Sequence, residues 1–260
     1  MHASWVDSHC HLFSLSDPNA AIERAREAGV TAMVCVGTDL ETSRQAIDLA
    51  ARHPDVRATA GLHPHDASKL GVEWERLAEL VESADVVGIG ETGFDFHYLH
   101  SSPGEQETAF RAQIRLAKRL GRALVVHSRD AWHDTFRVLA DEGPPTRTVL
   151  HCFTGGPGEA RRALDLGAFL SYSGIVTFPG ADEVRAAAGI TPLDKLLVET
   201  DAPYLAPVPR RGRENEPALV SLVGAAVATA VGRAEGEIAE RTAANAAAAF
   251  SGSDESGASS

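Results

Sequence analysis

Eight short apolar segments separated by amphipathic helical stretches predict a closed (β/α)8 barrel for this chain of 260 residues. Three observations carry the prediction. The strand-like segments are rich in β-branched and small apolar residues, as expected where both faces of a parallel sheet are covered. They alternate with helical patterns along the whole chain, which favours a barrel over a doubly wound sheet. Finally, 260 residues is about the size of one barrel, and no linker rich in Pro, Gly or Ser divides the middle into two smaller domains. One domain over residues 1–250 is expected, followed by a Ser/Gly-rich end, 251–260, expected to be disordered.

In chain order the strand candidates are Trp5–Asp7, Thr31–Val36, Val56–Gly61, Val86–Gly90, Ala123–His127, Thr148–His151, Phe169–Tyr172 and Leu196–Glu199. The clearest helix runs from Pro103 to Leu120. Ser102 can cap it, Pro103 suits its first position and Glu105 completes a capping box. Phe110, Ile114 and Ala117 then fall on one stripe, and Gly121 stops the helix. The Pro- and Arg-rich segment Pro203–Pro217 reads as a loop after the last strand, and helices follow at roughly Pro217–Val231 and Gly236–Phe250.

The apolar stretches are far too short to span a bilayer, and the N-terminus lacks the basic start and apolar run of a secretory signal. A cytoplasmic protein without a membrane partner is expected. Cys10, Cys35 and Cys152 form no CxxC pair, so a thiolate zinc site is not expected, and all three read as packing residues. In extended chain Cys10 faces away from its histidine neighbours. The formal net charge of −12 argues against tight non-specific nucleic-acid binding, which needs a basic field. It leaves open a small phosphodiester pocket whose positive charge comes from bound cations.

The candidate chemistry begins at Asp7-Ser8-His9-Cys10-His11, where HxH spacing puts both imidazoles on one face of extended chain. Imidazole is a common ligand of zinc, iron and related ions. His9, His11, Glu91, His127, His151 and Asp201 all fall at the C-terminal ends of predicted strands, the face where barrel active sites are built. Six ionisable groups at one mouth are costly unless paired or coordinated, so they read as a metal-ligand set. The segment Gly88-Ile89-Gly90-Glu91-Thr92-Gly93 fits GxGxxG, but Phe94-Asp95-Phe96-His97-Tyr98 does not look like the helix start that a dinucleotide fingerprint requires.

DSHCHL (7–12), GLHPH (61–65), GIGETGFDFHY (88–98), VHSRDA (126–131), HCFTG (151–155), LVETDAPYLAP (197–207) and RGRENEP (211–217) occur in this order along the chain. The set resembles the TatD family of metal-dependent deoxyribonucleases, within the amidohydrolase-like TIM barrels. The resemblance implies a metal-dependent hydrolase cleaving phosphodiester bonds of DNA, with 3'-5' exonuclease action on single strands expected. It implies two divalent ions, one held by His9, His11 and Asp201, the other by His127 and His151, with Glu91 reaching both. Mg is the ion the family implies, whereas imidazole-rich ligation also accepts Zn, Mn, Fe or Ni.

Asp201 and Glu91 are the expected catalytic carboxylates, Asp201 orienting the attacking water and taking its proton in a two-metal hydrolysis. His63 and His65 either contact phosphate or cap the loop around Pro64. Arg129 either contacts phosphate or joins a surface ion pair. Arg210, Arg211 and Arg213 either attract a strand or form solvated surface charge. Glu199 and Asp95 are candidate partners that orient a ligand, while His97, His100 and His133 read as surface or packing residues. The rivals are a D-aminoacyl-tRNA deacylase, an amidohydrolase or phosphotriesterase acting on a small molecule, and a non-catalytic metal-binding scaffold. The fifth strand, Leu124-Val125-Val126-His127, offers no lysine to bridge two metals, which favours the nuclease. The oligomeric state is open, a monomer being compatible.

Overall fold

A computed structural model describes residues 4–83 and 86–251. The start, 1–3, and the Ser/Gly-rich tail from 252 on lie outside the described residues. The strands are β1 (Trp5–Cys10), β2 (Val30–Val36), β3 (Val56–Ala60), β4 (Val86–Asp95), β5 (Ala123–Arg129), β6 (Thr148–Leu150), β7 (Phe169–Tyr172) and β8 (Leu196–Val198). They form one parallel sheet in sequential order. Past the end of β8 the chain bonds back to β1, Asp201 N donating to His9 O (2.9 Å) and His11 N to Ala202 O (2.7 Å), so the barrel closes at its C-terminal mouth. Asp7 reinforces the seam: its carboxylate accepts from Thr200 N (2.9 Å) and the Thr200 hydroxyl (2.5 Å).

The surrounding helices are α1 (Pro18–Glu27), α2 (Leu40–Arg52), α3 (Leu70–Ser83), α4 (Pro103–Leu120), α5 (Trp132–Glu142), α6 (Pro157–Asp165), α7 (Asp182–Ile190), α8 (Val220–Val231) and α9 (Glu235–Ala249). Among the described residues no single helix is long and apolar enough to cross a membrane. Strand residues divide by parity between two apolar clusters. On β5, Leu124 and Val126 pack outward against the helices, while Val125 points inward with Val6, Val34, Val87, Val149, Phe169 and Leu197. Ala246, Ala249 and Phe250 join the inner cluster and close the floor of the barrel with the end of α9. Full burial of such a side chain contributes about 1.5–3 kcal/mol.

Helix α4 matches its predicted bounds. Ser102 and Glu105 exchange the two capping-box hydrogen bonds, and Gly121 takes the left-handed conformation (φ 58°) that a C-terminal glycine allows. Its buried face also carries two glutamines. Gln106 pairs with the backbone of Asp95, and Gln113 with both backbone groups of Leu62. The helix thereby pins the loop before His63 and the end of β4.

Three strands run further than their composition suggests. β1 extends to Cys10, β4 to Asp95 and β5 to Arg129, so His9 and Glu91 lie inside strands rather than after them, and Arg129 closes β5. The cause is continued pairing, with Gly93 opposite His127 and Asp95 opposite Arg129. In β4 the glycines serve this close approach. An added Cβ at Gly90 would collide with the Val125 carbonyl, and one at Gly93 with the His127 carbonyl. The GxGxxG segment is therefore a strand.

Candidate metal centre

Two irregularities aim the mouth residues. Between Asp7 and Cys10, β1 spends three steps where β2 spends two, and between Ile89 and Thr92, β4 does the same against β5. One extra residue reverses which face the next side chain takes. The first bulge lets Ser8 and His9 both face the interior, where Ser8 Oγ meets Ser171 Oγ at 2.8 Å and the His9 ring stacks on His151. Cys10 instead turns to the outer core, its thiol against Val34 O. The second bulge brings Glu91 inward, beside His127. Asp201 follows β8 in a left-handed conformation (φ 58°), unusual for a residue with a Cβ and held by its backbone bond to β1.

Glu91 is the centre of the constellation and is almost fully buried. Its Oε2 lies 3.4 Å from His9 Nε2 and 3.6 Å from His11 Nε2. Asp201 Oδ1 is 3.8 and 3.5 Å from the same two nitrogens, which are 3.3 Å apart. On the other side, Glu91 Oε1 lies 2.9 Å from His127 Nδ1, 2.8 Å from His151 Nε2 and 3.4 Å from His63 Nε2. His127 Nδ1 and His151 Nε2 are 3.1 Å apart. Glu91 thus turns one oxygen to each of two donor groups.

The structure places His63 in the second group rather than on the open rim. Its Nδ1 also accepts from His65 N (3.1 Å), so the ring caps the loop after Pro64 and faces Glu91 at once. Neighbouring His65 bonds Asp95 (3.0 Å) and lines the cavity, as does Arg129, whose guanidinium lies 4.8 Å over the Tyr98 ring. Arg211 stacks on Phe178 at 3.9 Å, while Arg210 and Arg213 are exposed on the same loop. His97, His100 and His133 are exposed, His100 stacking on Tyr98. The Cys152 thiol approaches Ser173 Oγ (3.2 Å), and burial with the charges of Asp201 and Glu199 keeps it well above the ordinary thiol range.

Charge and burial oppose each other throughout. Burial alone would raise the Glu91 carboxyl, but the imidazoles of His151, His63 and His127 hold it well below the usual range. Asp201 is depressed in the same way, against burial, by His11 and His151. Burial would lower His151, yet Glu91 and Glu199 raise it well above the ordinary value. His63, with burial dominant, is pushed down to about 4. Asp7 goes the other way: burial pushes it up to about 8 against the bonds from Thr200.

These residues fit a divalent cation. Donor atoms 2.8–3.8 Å apart are spaced as ligand edges around an ion with bonds of about 2.0–2.2 Å. Paired imidazole nitrogens at 3.1 and 3.3 Å direct lone pairs into a shared space that one cation satisfies. Two of the donor groups, His9–His11–Asp201 and His63–Glu91–His127, each have their ligand atoms within 4.8 Å of one another. Above them opens a cavity of about 770 Å³, bounded by Phe13, Tyr98, Arg129 and Tyr204.

A (β/α)8 barrel whose mouth gathers imidazoles and carboxylates around shared donor spaces is the architecture of a metal-dependent hydrolase. The chain belongs to the TatD related DNase family, whose model matches residues 6–251. It is 39% identical over 252 residues to an Escherichia coli K12 protein named uncharacterized metal-dependent hydrolase YcfH, covering 94% of this chain and 95% of that one. It is 45% identical over 209 residues to the 3'-5' ssDNA/RNA exonuclease TatD of Cronobacter sakazakii, covering 77% and 79%. Among solved structures, the TatD homologue YjjV of Escherichia coli K12 superposes with a TM-score of 0.89 at 29% identity, covering 96% of this chain and 99% of that one.

Proposed function

We propose that this protein is a two-metal nuclease that removes nucleotides from the 3' end of single-stranded DNA. The observation that carries the reading is Glu91 set between two donor groups, one oxygen toward each. His9, His11 and Asp201 hold one ion, His63, His127 and His151 the other, and Glu91 reaches both. When bound, two divalent ions supply Lewis acidity toward phosphoryl oxygens and acidify water at neutral pH. Five imidazoles beside two carboxylates suit Mn or Zn at least as well as Mg, which prefers oxygen ligands.

The chain's own groups divide the remaining work. Asp201 is the more open of the two carboxylates, its side chain 13% exposed against 3% for Glu91. It orients the attacking water and accepts its proton. Glu91, engaged at both oxygens, positions rather than exchanges protons. Arg129 and His65 reach the cavity from the rim and meet the substrate phosphates. A cavity of about 770 Å³ is in the range of small-ligand pockets, which suits a strand end entering rather than a duplex lying across. The name carried by the Cronobacter sakazakii relative, which covers single-stranded DNA and RNA, supports the same polarity and a nucleic-acid substrate.

The test is digestion of an end-labelled single-stranded oligonucleotide in Mg, in Mn and in EDTA, beside Glu91→Ala. The expected result is metal-dependent laddering from the 3' end, lost by more than about 100-fold in the variant, since even residues outside the ligand set cost 10–100-fold. Intact DNA in every lane, with metal bound, would redirect the assignment to an aminoacyl ester or a small-molecule substrate.

A further inference from the structure

The hydrolytic steps above leave Glu199 without a part. It follows β8 and is fully buried. Its Oε1 accepts from Cys152 N (2.8 Å) and lies 3.1 Å from His151 Nδ1. Its Oε2 is buried without a hydrogen-bond partner, and so is His9 Nδ1. Donor atoms of His9, His151 and Glu199 lie within 4.8 Å of one another. The rings of His9 and His151 stack nearly parallel, 3.9 Å apart at 16°, and both turn Nε2 toward Glu91. Their Nδ1 edges are therefore turned away from Glu91, the side on which Glu199 already meets His151.

We propose that Glu199 is one positioning carboxylate shared by two ligands of different ions. Oε1 holds His151 and Oε2 holds His9, each directly or through one water, as the Nδ1–H tautomer. Both Nε2 lone pairs are then presented to the mouth. Two buried polar atoms left without partners in one three-residue cluster are costly, and this pairing removes both. A third ion among His9, His151 and Glu199 is the poorer account, because each imidazole would bridge two cations and surrender both ring protons. The inference rests on the assignment of His9 and His151 as metal ligands.

Glu199→Gln gives a directional test. The Cys152 N–H and His151 Nδ1–H require the amide oxygen on their side, so the amide NH2 faces His9. His9 Nδ1 must then accept, and its proton moves to Nε2, the wrong tautomer for ligation. Calorimetric titration of the purified full chain with Mn2+, with metal content measured on the same samples, reads both sites. In Glu199→Gln the site containing His9 is expected to weaken about 10–100-fold while the other changes less than about 3-fold; Glu199→Ala weakens both.

In zinc-loaded wild type, nitrogen NMR of 15N-labelled histidines is expected to find His9 and His151 protonated at Nδ1, a readout that needs no variant to fold. Two sites of wild-type affinity in Glu199→Gln, a third ion lost on substitution, or His9 protonated at Nε2 overturns the proposal. If His9→Ala and His151→Ala leave both affinities unchanged, the ligand assignment itself falls and takes the proposal with it. That failure is separate, because it appears without touching Glu199.

Discussion

At the scale of single residues, some groups lining the cavity also face Glu91 and others do not. His63 and His65 are two apart in sequence and equally plausible as phosphate contacts there, yet their surroundings differ. His63 is buried with Nε2 toward Glu91, while His65 is partly exposed and bonded to Asp95. His63→Ala is expected to weaken one metal site by at least about 10-fold, the scale of losing a group that supports a metal. His65→Ala should leave metal content unchanged and raise KM for the oligonucleotide. Metal analysis after dialysis, set beside steady-state kinetics, distinguishes the two, and equal metal loss in both variants would defeat the division. Asp7 is not legible as a site residue in the sequence, because a lone Asp before HxH carries no ligand spacing. Its partner Thr200 is distant in sequence and meets it only where β1 and the end of β8 close the barrel.

At the scale of elements, β4 shows how backbone packing governs chemistry. Gly90 has φ 130° and sits against the Val125 carbonyl, whereas Gly121 has φ 58° with nothing near an added Cβ. Gly121→Ala should cost about 1–2 kcal/mol for the left-handed conformation alone. Gly90→Ala adds a backbone collision to comparable strain, so its cost should be clearly larger, and the same displacement should move Glu91. Urea unfolding of the two variants measures the difference; equal destabilisation would remove β4 packing as the device that aims Glu91.

The clasp between α4 and α5 gives a pH test. Glu107 bonds Arg137 and Arg111, which hold its carboxyl at about 2, against an ordinary 4.5. A depressed folded value means that this stabilisation is complete above about 4.5 and disappears as pH falls toward 2. Because the groups are partly exposed, Glu107→Gln should cost less than about 1 kcal/mol at pH 7. Its stability difference from wild type should vanish near pH 2, as followed by denaturant titration at stepped pH. A difference that persists unchanged at low pH would assign the effect to packing.

At the scale of the whole molecule, the tension lies between a net charge of −12 and the phosphate-bearing substrate proposed for it. With the two divalent ions of the proposed site set against its two carboxylates, the mouth would be locally cationic within an acidic protein. Metal should therefore govern stability as well as activity. With free ion at about 100 times Kd, one site adds about 2.7 kcal/mol to the folded state. Removal with EDTA should lower Tm, and added Mn2+ should restore it. A Tm indifferent to chelation, in protein shown to have held metal, would mean that the ions bind without supporting the fold.

The alternation of short apolar strands with amphipathic helices is local information, and it was sufficient for the barrel, for α4 with both its caps, and for the end of the barrel at which the ionisable residues gather. His9, His11, Glu91, His127, His151 and Asp201 were legible because strand ends in a barrel converge whatever the loops do. Tertiary structure decided which way each side chain turns. Two single-residue bulges reverse the parity of β1 and β4, and only the register with the neighbouring strand reveals them. It also decided that His63 stands against Glu91 and that Glu199 clusters with both His9 and His151, since those contacts join residues in or just past different strands. Periodicity along a chain reports burial and direction within one element, whereas donor geometry depends on relative register between elements, which no single segment encodes.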